Sequence, residues 1–366
     1  MRLLFCARRY PPDVWSGTET VFQNLYERAR DAGHEVRLVV GWTQARHMVP
    51  PEAVAVELKD CGKARKWARM SKAILSEARS FQPDAILSNS IEVPPTGFPT
   101  ACIVHDLNFG EGAGQSVRAT VSGRAKARFY AARSRGLDAV ITVSDASARV
   151  LADAGVPADK VHVIHNGVAI NRFTPDGDPG AAGTGSADAP VRFAYPSRIL
   201  QGKGQHHAID AMARMPRDHK KRAKLTIVGA AADPVYLDQI RVQAFEQPVD
   251  FATDVPEMAP YYRDADVILF PTVMDEGFGF TAVEGMACGR PVIWFDQPAI
   301  REATGGLGVP VPRGDTQALR DAMVRLMDDP DLRRSLGDAG RAHVVAHCSW
   351  TSVWQRYEDV LASIAS

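Results

Sequence analysis

Glu276–Pro291 reads EGFGFTAVEGMACGRP, and the fold is decided by how this stretch is read. It places a carboxylate, two glycines and a second carboxylate around the start of a helix. The residues before it, DVILFPTVMD from Asp266 to Asp275, predict a buried strand. Val267, Ile268, Leu269 and Phe270 form a short apolar run there, and Pro271 ends it. From Thr281 the pattern turns helical: Val283, Met286 and Ala287 recur at spacings of three and four, until Gly289 and Pro291 stop the run. A glycine-rich loop that feeds a helix at the carboxyl end of a parallel strand is where α/β proteins bind anions. The helix start offers free amides and a positive dipole, and Gly277 and Gly279 let a ligand approach the backbone closely.

The same strand–helix rhythm runs outward in both directions. RLLFCA is followed by a loop rich in Pro and Gly and a helix from about Thr18 to Ala32. EVRLVVG, DAILSNS, TACIVHD, DAVITVS and KVHVIHNG then read as strands, mostly separated by helical patterns. TPDGDPGAAGTGSADAP, residues 174–190, has no periodicity and reads as a linker. Beyond it, VRFAYPS, KLTIVGA, PVDFAT, DVILFPT and RPVIWFD restart the alternation. The expectation is two doubly wound α/β domains with parallel sheets covered on both faces and a cleft between them: residues 1–173 and 191–349. Trp350, Trp354, Tyr357 and Leu361 recur at helical spacing, so a final helix over 350–366 is expected to pack back on the first domain.

Size and composition fit that plan. A chain of 366 residues suits two α/β domains, and 45% hydrophobic with 23% charged residues is typical of globular protein. Lys plus Arg and Asp plus Glu number 43 each, so the global charge names no polyanionic partner and no nucleic acid. Cys6, Cys61, Cys102, Cys288 and Cys348 are far apart and lack a C-x-x-C pair, which speaks against a zinc site or a disulfide framework. Leu3 to Ala7 is too short for a signal peptide, and no segment approaches the ~20 apolar residues of a membrane span. A cytoplasmic protein is expected.

Two further features point at the Glu276 loop. Arg198 and Lys203, in SRILQGKG just beyond a predicted strand, set a guanidinium and an ammonium five residues apart beside Gly202 and Gly204. They are able to grip a diphosphate, or read singly as solvated surface charges. Glu276 and Glu284 stand eight residues apart, and paired carboxylates are the mark of glycoside hydrolases, whose carboxyl groups lie roughly 5–9.5 Å apart. Eight helical residues cover about 12 Å. That spacing suits two carboxylates gripping different hydroxyls of one long ligand better than an acid and a nucleophile at one bond.

At these residues the chain resembles a known family. EGFGFTAVEGMACGRPVI is similar to the E-x7-E signature of the retaining glycosyltransferases of family four, which have the GT-B fold of two Rossmann-like domains facing a deep interdomain cleft. SRILQGKG resembles that family's diphosphate-binding segment, and VIHNGVAINRF the segment before its interdomain linker. VDFATDVPEMAPYYRDADVILFPT resembles the stretch before the signature, YPPDVWSGTET the glycine loop after the first strand, and His105–Asp106 the histidine position of the first domain. The resemblance covers nearly the whole chain. It departs at Gly17–Thr18, where many relatives carry a second glycine, and at the alanines after Gly229.

The resemblance implies roles. Glu276 would hold hydroxyls of a donor sugar, with the backbone of Phe278, Gly279, Phe280 and Thr281 near sugar and phosphates, and Glu284 would hold the ribose hydroxyls. Arg198 and Lys203 would neutralise the diphosphate and stabilise it as it departs, which is where most catalysis should reside. His105 would sit near the donor sugar, Gly17 and Thr18 near the phosphates, and Thr253 and Val255 beside the base. No protein nucleophile is implied, the leaving phosphate being the usual candidate base, and neither metal nor cofactor is expected beyond the nucleotide-diphosphate sugar itself. The implied activity is hexosyl transfer to a glycan or lipid-linked acceptor in cell-envelope polysaccharide synthesis. A GT-B phosphorylase, a sugar-nucleotide epimerase and a non-catalytic nucleotide-sugar binder are the alternatives. A dinucleotide-dependent oxidoreductase ranks last, because CARRYPPDVWSG lacks G-x-G-x-x-G.

Charge is locally uneven. Residues 59–79 carry seven Lys or Arg against two acids, and residues 118–135 carry six against none. Both read as helices of the first domain, with Trp67, Met70, Phe129 and Tyr130 interleaved. Such helices suit either an ordinary solvated face or peripheral contact with an anionic membrane, on the inner face of the cell membrane.

Overall fold

The computed structural model describes residues 1–11, 17–43, 49–105, 117–175 and 190–366, without the side chains of 117–122. Most of the expected linker (176–189), Asp106 and part of the first glycine loop (12–16) therefore lie outside the described residues. The chain divides into two compact units, Met1–Gly167 with Trp350–Ser366, and Val168–Ser349.

In the first unit β1 (Arg2–Ala7), α1 (Gly17–Asp31), β2 (Glu35–Trp42), β3 (Val54–Glu57), α2 (Lys63–Phe81), β4 (Ala85–Ser88), β5 (Thr100–Val104), α3 (Val117–Ser134), β6 (Ala139–Thr142), α4 (Asp145–Asp153) and β7 (Val161–Val163) follow one another. They build a parallel sheet in the order β3-β2-β1-β4-β5-β6-β7. Because strand side chains alternate between faces, β1 feeds two cores. Leu4 and Cys6 join Met70, Ile74 and Phe81 of α2, while the Phe5 ring meets Phe22 and Tyr26 of α1 edge-on at 5.6 Å each.

The second unit runs β8 (Val191–Pro196), α5 (Gln205–Ala213), α6 (Arg217–Lys221), β9 (Ala223–Val228), α7 (Pro234–Gln243), β10 (Val249–Ala252), α8 (Ala259–Asp264), β11 (Val267–Phe270), α9 (Phe280–Ala287), β12 (Val292–Phe295), α10 (Pro298–Ala303), β13 (Val309–Val311), α11 (Thr316–Asp328) and α12 (Pro330–His347). Its sheet is parallel in the order β10-β9-β8-β11-β12-β13. All four residues of β11 and all four of β12 are buried, as the continuous apolar runs predict for strands covered on both faces. The final helix, α13 (Trp350–Ala365), returns to the first unit and packs on α1 and β4. Trp350, Val353, Trp354, Tyr357 and Leu361 are its buried stripe.

Three details differ from the sequence reading. β3 and β13 were not expected; they are edge strands of four and three residues, and only pairing such as Val39↔Val54 and Ile293↔Val309 defines them. The unit boundary falls after Gly167 rather than at 173. Residues 168–173 belong to the second unit because Val168 bridges Ser349 and the Arg341 guanidinium donates to the carbonyls of Ile170 and Phe173.

Candidate active site

Strand order locates the site in the second unit. From β8 the winding goes to β9 and β10 on one side and to β11, β12 and β13 on the other, so β8 and β11 flank the point of reversal. Ligands of open α/β sheets bind beyond the carboxyl ends of such strands. The loop after β8 carries Arg198 and Lys203, and the loop after β11 carries Glu276.

These two loops are bonded to each other. The amides of Val273 and Met274 both donate to the Gly202 carbonyl, at 3.0 and 2.9 Å. Gly204 has φ +77°, and a Cβ there would stand 2.1 Å from the Pro271 carbonyl oxygen, so the close approach requires glycine. The Tyr195 hydroxyl donates to the Lys203 carbonyl. Lys203 Nζ then reaches Glu276 Oε1 at 2.6 Å, with both side chains about 13–14% exposed. The Thr272 hydroxyl donates to the same oxygen at 2.9 Å. Shielding from water strengthens this pair. Lys203 keeps two further N–H donors, and Oε2 accepts nothing from the described residues. Arg198 is exposed and makes no side-chain hydrogen bond or ion pair among them.

Helix α9 begins at Gly279, whose φ of +96° and ψ of +54° turn the chain out of the loop. No side chain caps the helix; the Ala282 amide donates to the Gly279 carbonyl at 3.0 Å, which leaves the amides of Phe280 and Thr281 for a ligand. Phe278 is buried and meets Phe280 edge-on at 5.3 Å. Thr281 turns its hydroxyl inward to the Pro196 carbonyl at 2.8 Å, which leaves only its backbone for a ligand. One turn further, Glu284 Oε2 accepts a 2.6 Å hydrogen bond from the Tyr262 hydroxyl. Burial pushes the Glu284 carboxyl up to about 7, against the lowering effects of the Tyr262 bond and the Arg172 charge. Thr253 and Val255 follow β10 at the same sheet edge, two strands from β8, and flank Asp254 in the left-handed region at φ +56°. No hydrogen bond among the described residues joins them to Lys203 or Glu276.

The first unit repeats the plan. β1 and β4 flank its winding reversal. Gly17 and Thr18 open α1 after β1, and the Thr18 hydroxyl donates to Glu19 Oε2 at 2.8 Å. His105 follows β5 and lies 2.9 Å, through Nε2, from Asn89 Oδ1 at the end of β4. Sequence reasoning missed Asn89, Thr272, Tyr262 and Gln297, the residues that hold the predicted ones. They are 16, 4, 22 and 21 positions away from His105, Glu276, Glu284 and Glu276, and no spacing rule singles them out.

Two doubly wound parallel sheets, each flanked by helices, are those of a GT-B architecture. The sequence comparisons agree: residues 15–172 match the model described as Glycosyltransferase Family 4, and residues 190–329 match Glycosyl transferases group 1. The chain belongs to the family-four glycosyltransferases. It is 31% identical over 211 residues to the GDP-mannose-dependent monoacylated alpha-(1-6)-phosphatidylinositol monomannoside mannosyltransferase of Corynebacterium glutamicum, covering 54% of this chain and 55% of that one. It is 32% identical over 203 residues to the D-inositol 3-phosphate glycosyltransferase of Jonesia denitrificans, covering 50% and 47%. The match thus spans about half the length of these curated relatives. In fold it is similar to Anabaena HepE, solved in complex with UDP and glucose, with a TM-score of 0.78 at 21% identity over 99% of this chain and 100% of that one.

Proposed function

We propose that the protein moves a hexosyl group, with retention of configuration, from a nucleotide-diphosphate sugar to a hydroxyl of a glycan or lipid-linked acceptor in envelope polysaccharide synthesis. The Lys203–Glu276 pair at the β8/β11 reversal carries this reading. It sets a cation for a diphosphate and a carboxylate for sugar hydroxyls at one point. Glu276 accepts from the sugar hydroxyls through its open Oε2, and Glu284 holds the ribose hydroxyls. Thr253 and Val255 line the base, while Phe278, Gly279, Phe280 and Thr281 present backbone to the sugar and phosphates. Within the first unit, Gly17 and Thr18 at the start of α1 and His105 after β5 are the residues this reading assigns to the donor.

In the reaction the C1–O bond to the β-phosphate breaks and the acceptor oxygen bonds C1 on the same face. The acceptor proton passes to the departing phosphate oxygen. Arg198 and Lys203 stabilise the charge that develops on the diphosphate, so the reading needs neither a metal nor a further cofactor. The relatives support the substrate class by their names, one being GDP-mannose-dependent and acting on a phosphatidylinositol mannoside, and the HepE complexes hold UDP and glucose.

A lipid-linked acceptor fits the exposed Lys63, Arg65 and Lys72 of α2, a helix that also leaves Trp67 46% exposed. On α3, Arg124 and Arg128 flank the exposed Phe129. Peripheral docking on the inner face of the membrane is part of the proposal. No helix among the described residues is long and apolar enough to cross a membrane.

The test starts with thermal-shift screening of UDP, GDP, ADP and dTDP, because a ligand that prefers the folded state raises its stability. Radiolabelled sugars of the responding nucleotide are then incubated with a membrane extract, and the anomeric configuration of the product is read by NMR. Glu276→Ala is expected to retain nucleoside diphosphate binding and lose transfer. Wild-type turnover in that variant refutes the assignment, and binding without transfer by the wild type identifies a non-catalytic binder.

A further inference from the structure

Gln297 is 96% buried and sits at the start of α10, where a polar side chain ordinarily caps its own helix. It makes no such bond. Pro298 follows at the first helical position and has no N–H to be capped. The Gln297 amide instead turns to the loop after β11 and bonds both of its ends. Nε2 donates to the Thr272 carbonyl at 2.8 Å, and Oε1 accepts from the Glu276 amide at 3.2 Å. One contact demands a donor and the other an acceptor, so the network itself fixes which end of the amide faces which residue.

Between those two bonds lie Val273, Met274 and Asp275, tied from the other side by Gly202 and by the Arg313 guanidinium on the Val273 carbonyl and Asp275 Oδ1. The loop therefore has little freedom where Glu276 leaves it. Thr272 and Lys203 then fill Oε1. The orientation of Oε2 follows from where the Glu276 backbone is held.

We infer that Gln297 is a positioning residue for Glu276: by joining Thr272 O to Glu276 N through one buried amide, it fixes the loop that turns Glu276 Oε2 toward the donor sugar. The consequence for turnover rests on the glycosyltransferase reading, while the consequence for the loop does not. Gln297 is buried and bonded to the loop at both ends of its amide, so it acts through Glu276. Its loss should change the aim of the carboxylate and leave the nucleotide contacts intact, and misplacement of a reacting or orienting group by about 1 Å costs on the order of 100-fold in rate.

Gln297→Met keeps the side-chain length and removes both bonds. Gln297→Glu keeps the acceptor for the Glu276 amide and, in its ionised form, removes the donor to Thr272. Hydrogen exchange at amides 273–276 is expected to accelerate by about tenfold in Gln297→Met, the effect of losing roughly one net hydrogen bond. Protection of α9 and β12 should stay unchanged. In turnover, kcat is expected to fall roughly 10- to 100-fold with the Kd of the nucleoside diphosphate within about twofold of wild type, and Gln297→Glu should lie between.

Wild-type exchange at 273–276 together with wild-type kcat overturns the inference. So does a loss of kcat matched by an equal loss of nucleotide affinity and of α9 protection, which marks general structural damage. If Gln297→Met does not fold, Gln297→Glu carries the same comparison. If the wild-type protein transfers no sugar, the glycosyltransferase reading fails, and the exchange measurement alone then decides the role of Gln297.

Discussion

Replacing Glu284 by glutamine should stabilise the second unit at neutral and alkaline pH and weaken its hold on a nucleotide. The carboxyl titrates at about 7 in the folded protein against 4.5 as its ordinary value. The folded state therefore holds the proton more tightly than the unfolded chain. The stability this gives is fully present below about pH 4.5 and is lost as pH rises toward 7. Above that the ionised carboxylate is the costly form. A difference of about 2.5 units is worth about 3 kcal/mol, which partial exposure of Glu284 reduces to about 2 kcal/mol.

Glutamine is neutral throughout, and its carbonyl oxygen is able to accept the Tyr262 hydroxyl bond. The variant and the wild type should thus be nearly equal in stability near pH 4.5–5 and diverge by about 2 kcal/mol at pH 8. For a unit of about 180 residues that is roughly 4–8 °C in Tm. Scanning calorimetry of both proteins from pH 5 to 8 measures the gap. If Glu284 holds the ribose as proposed, the same variant should bind the nucleoside diphosphate about tenfold more weakly at pH 8, because a neutral amide would replace a charged acceptor of the hydroxyls. A Tm difference that stays flat across the pH range would refute the argument that burial governs this carboxyl.

Gly204→Ala should destabilise the second unit by at least about 2 kcal/mol, because φ is +77° and the new Cβ meets the Pro271 carbonyl at 2.1 Å. Gly314→Ala, with a similar φ of +81° and nothing within 4 Å, should cost only about 1 kcal/mol; equal losses in urea melts would show that the contact with Pro271 is unimportant. The protein should float with vesicles of anionic lipid at low salt and stay behind with neutral vesicles. Replacing Lys63, Arg65 and Lys72 with glutamine should reduce flotation, each charge contributing about 1 kcal/mol near such a surface. Flotation unaffected by these changes or by salt would remove α2 from the docking surface.

β11 and β12 of the second sheet were legible because each is a short, wholly apolar run between turn signals, Val267–Phe270 and Val292–Phe295. β3 and β13 were not, since Val54–Glu57 and Val309–Val311 are only partly buried and their identity lies in a neighbour's hydrogen bonds. Within the site, Lys203 and Glu276 could be named from their motifs, yet they are 73 residues apart, and their contact depends on β8 lying beside β11. Gln297 reads as an ordinary polar residue after a strand. Tyr262 sits in an ordinary amphipathic stretch, YYRD, with nothing to mark it as the partner of Glu284.

The sequence by itself determined the alternation of parallel strands and helices, the glycine positions at Gly204 and Gly279, and the chemical types gathered around the Glu276 loop. Periodicity, backbone permissiveness and side-chain charge are local properties, and Glu276–Pro291 carries them all within sixteen residues. Only the tertiary structure decided that Lys203 and Thr272 occupy one oxygen of Glu276 and leave the other open, that Gln297 holds the loop from below, and that Glu284 titrates near neutrality. Those outcomes depend on distance and burial among residues remote in sequence, which strand order sets and no local pattern encodes.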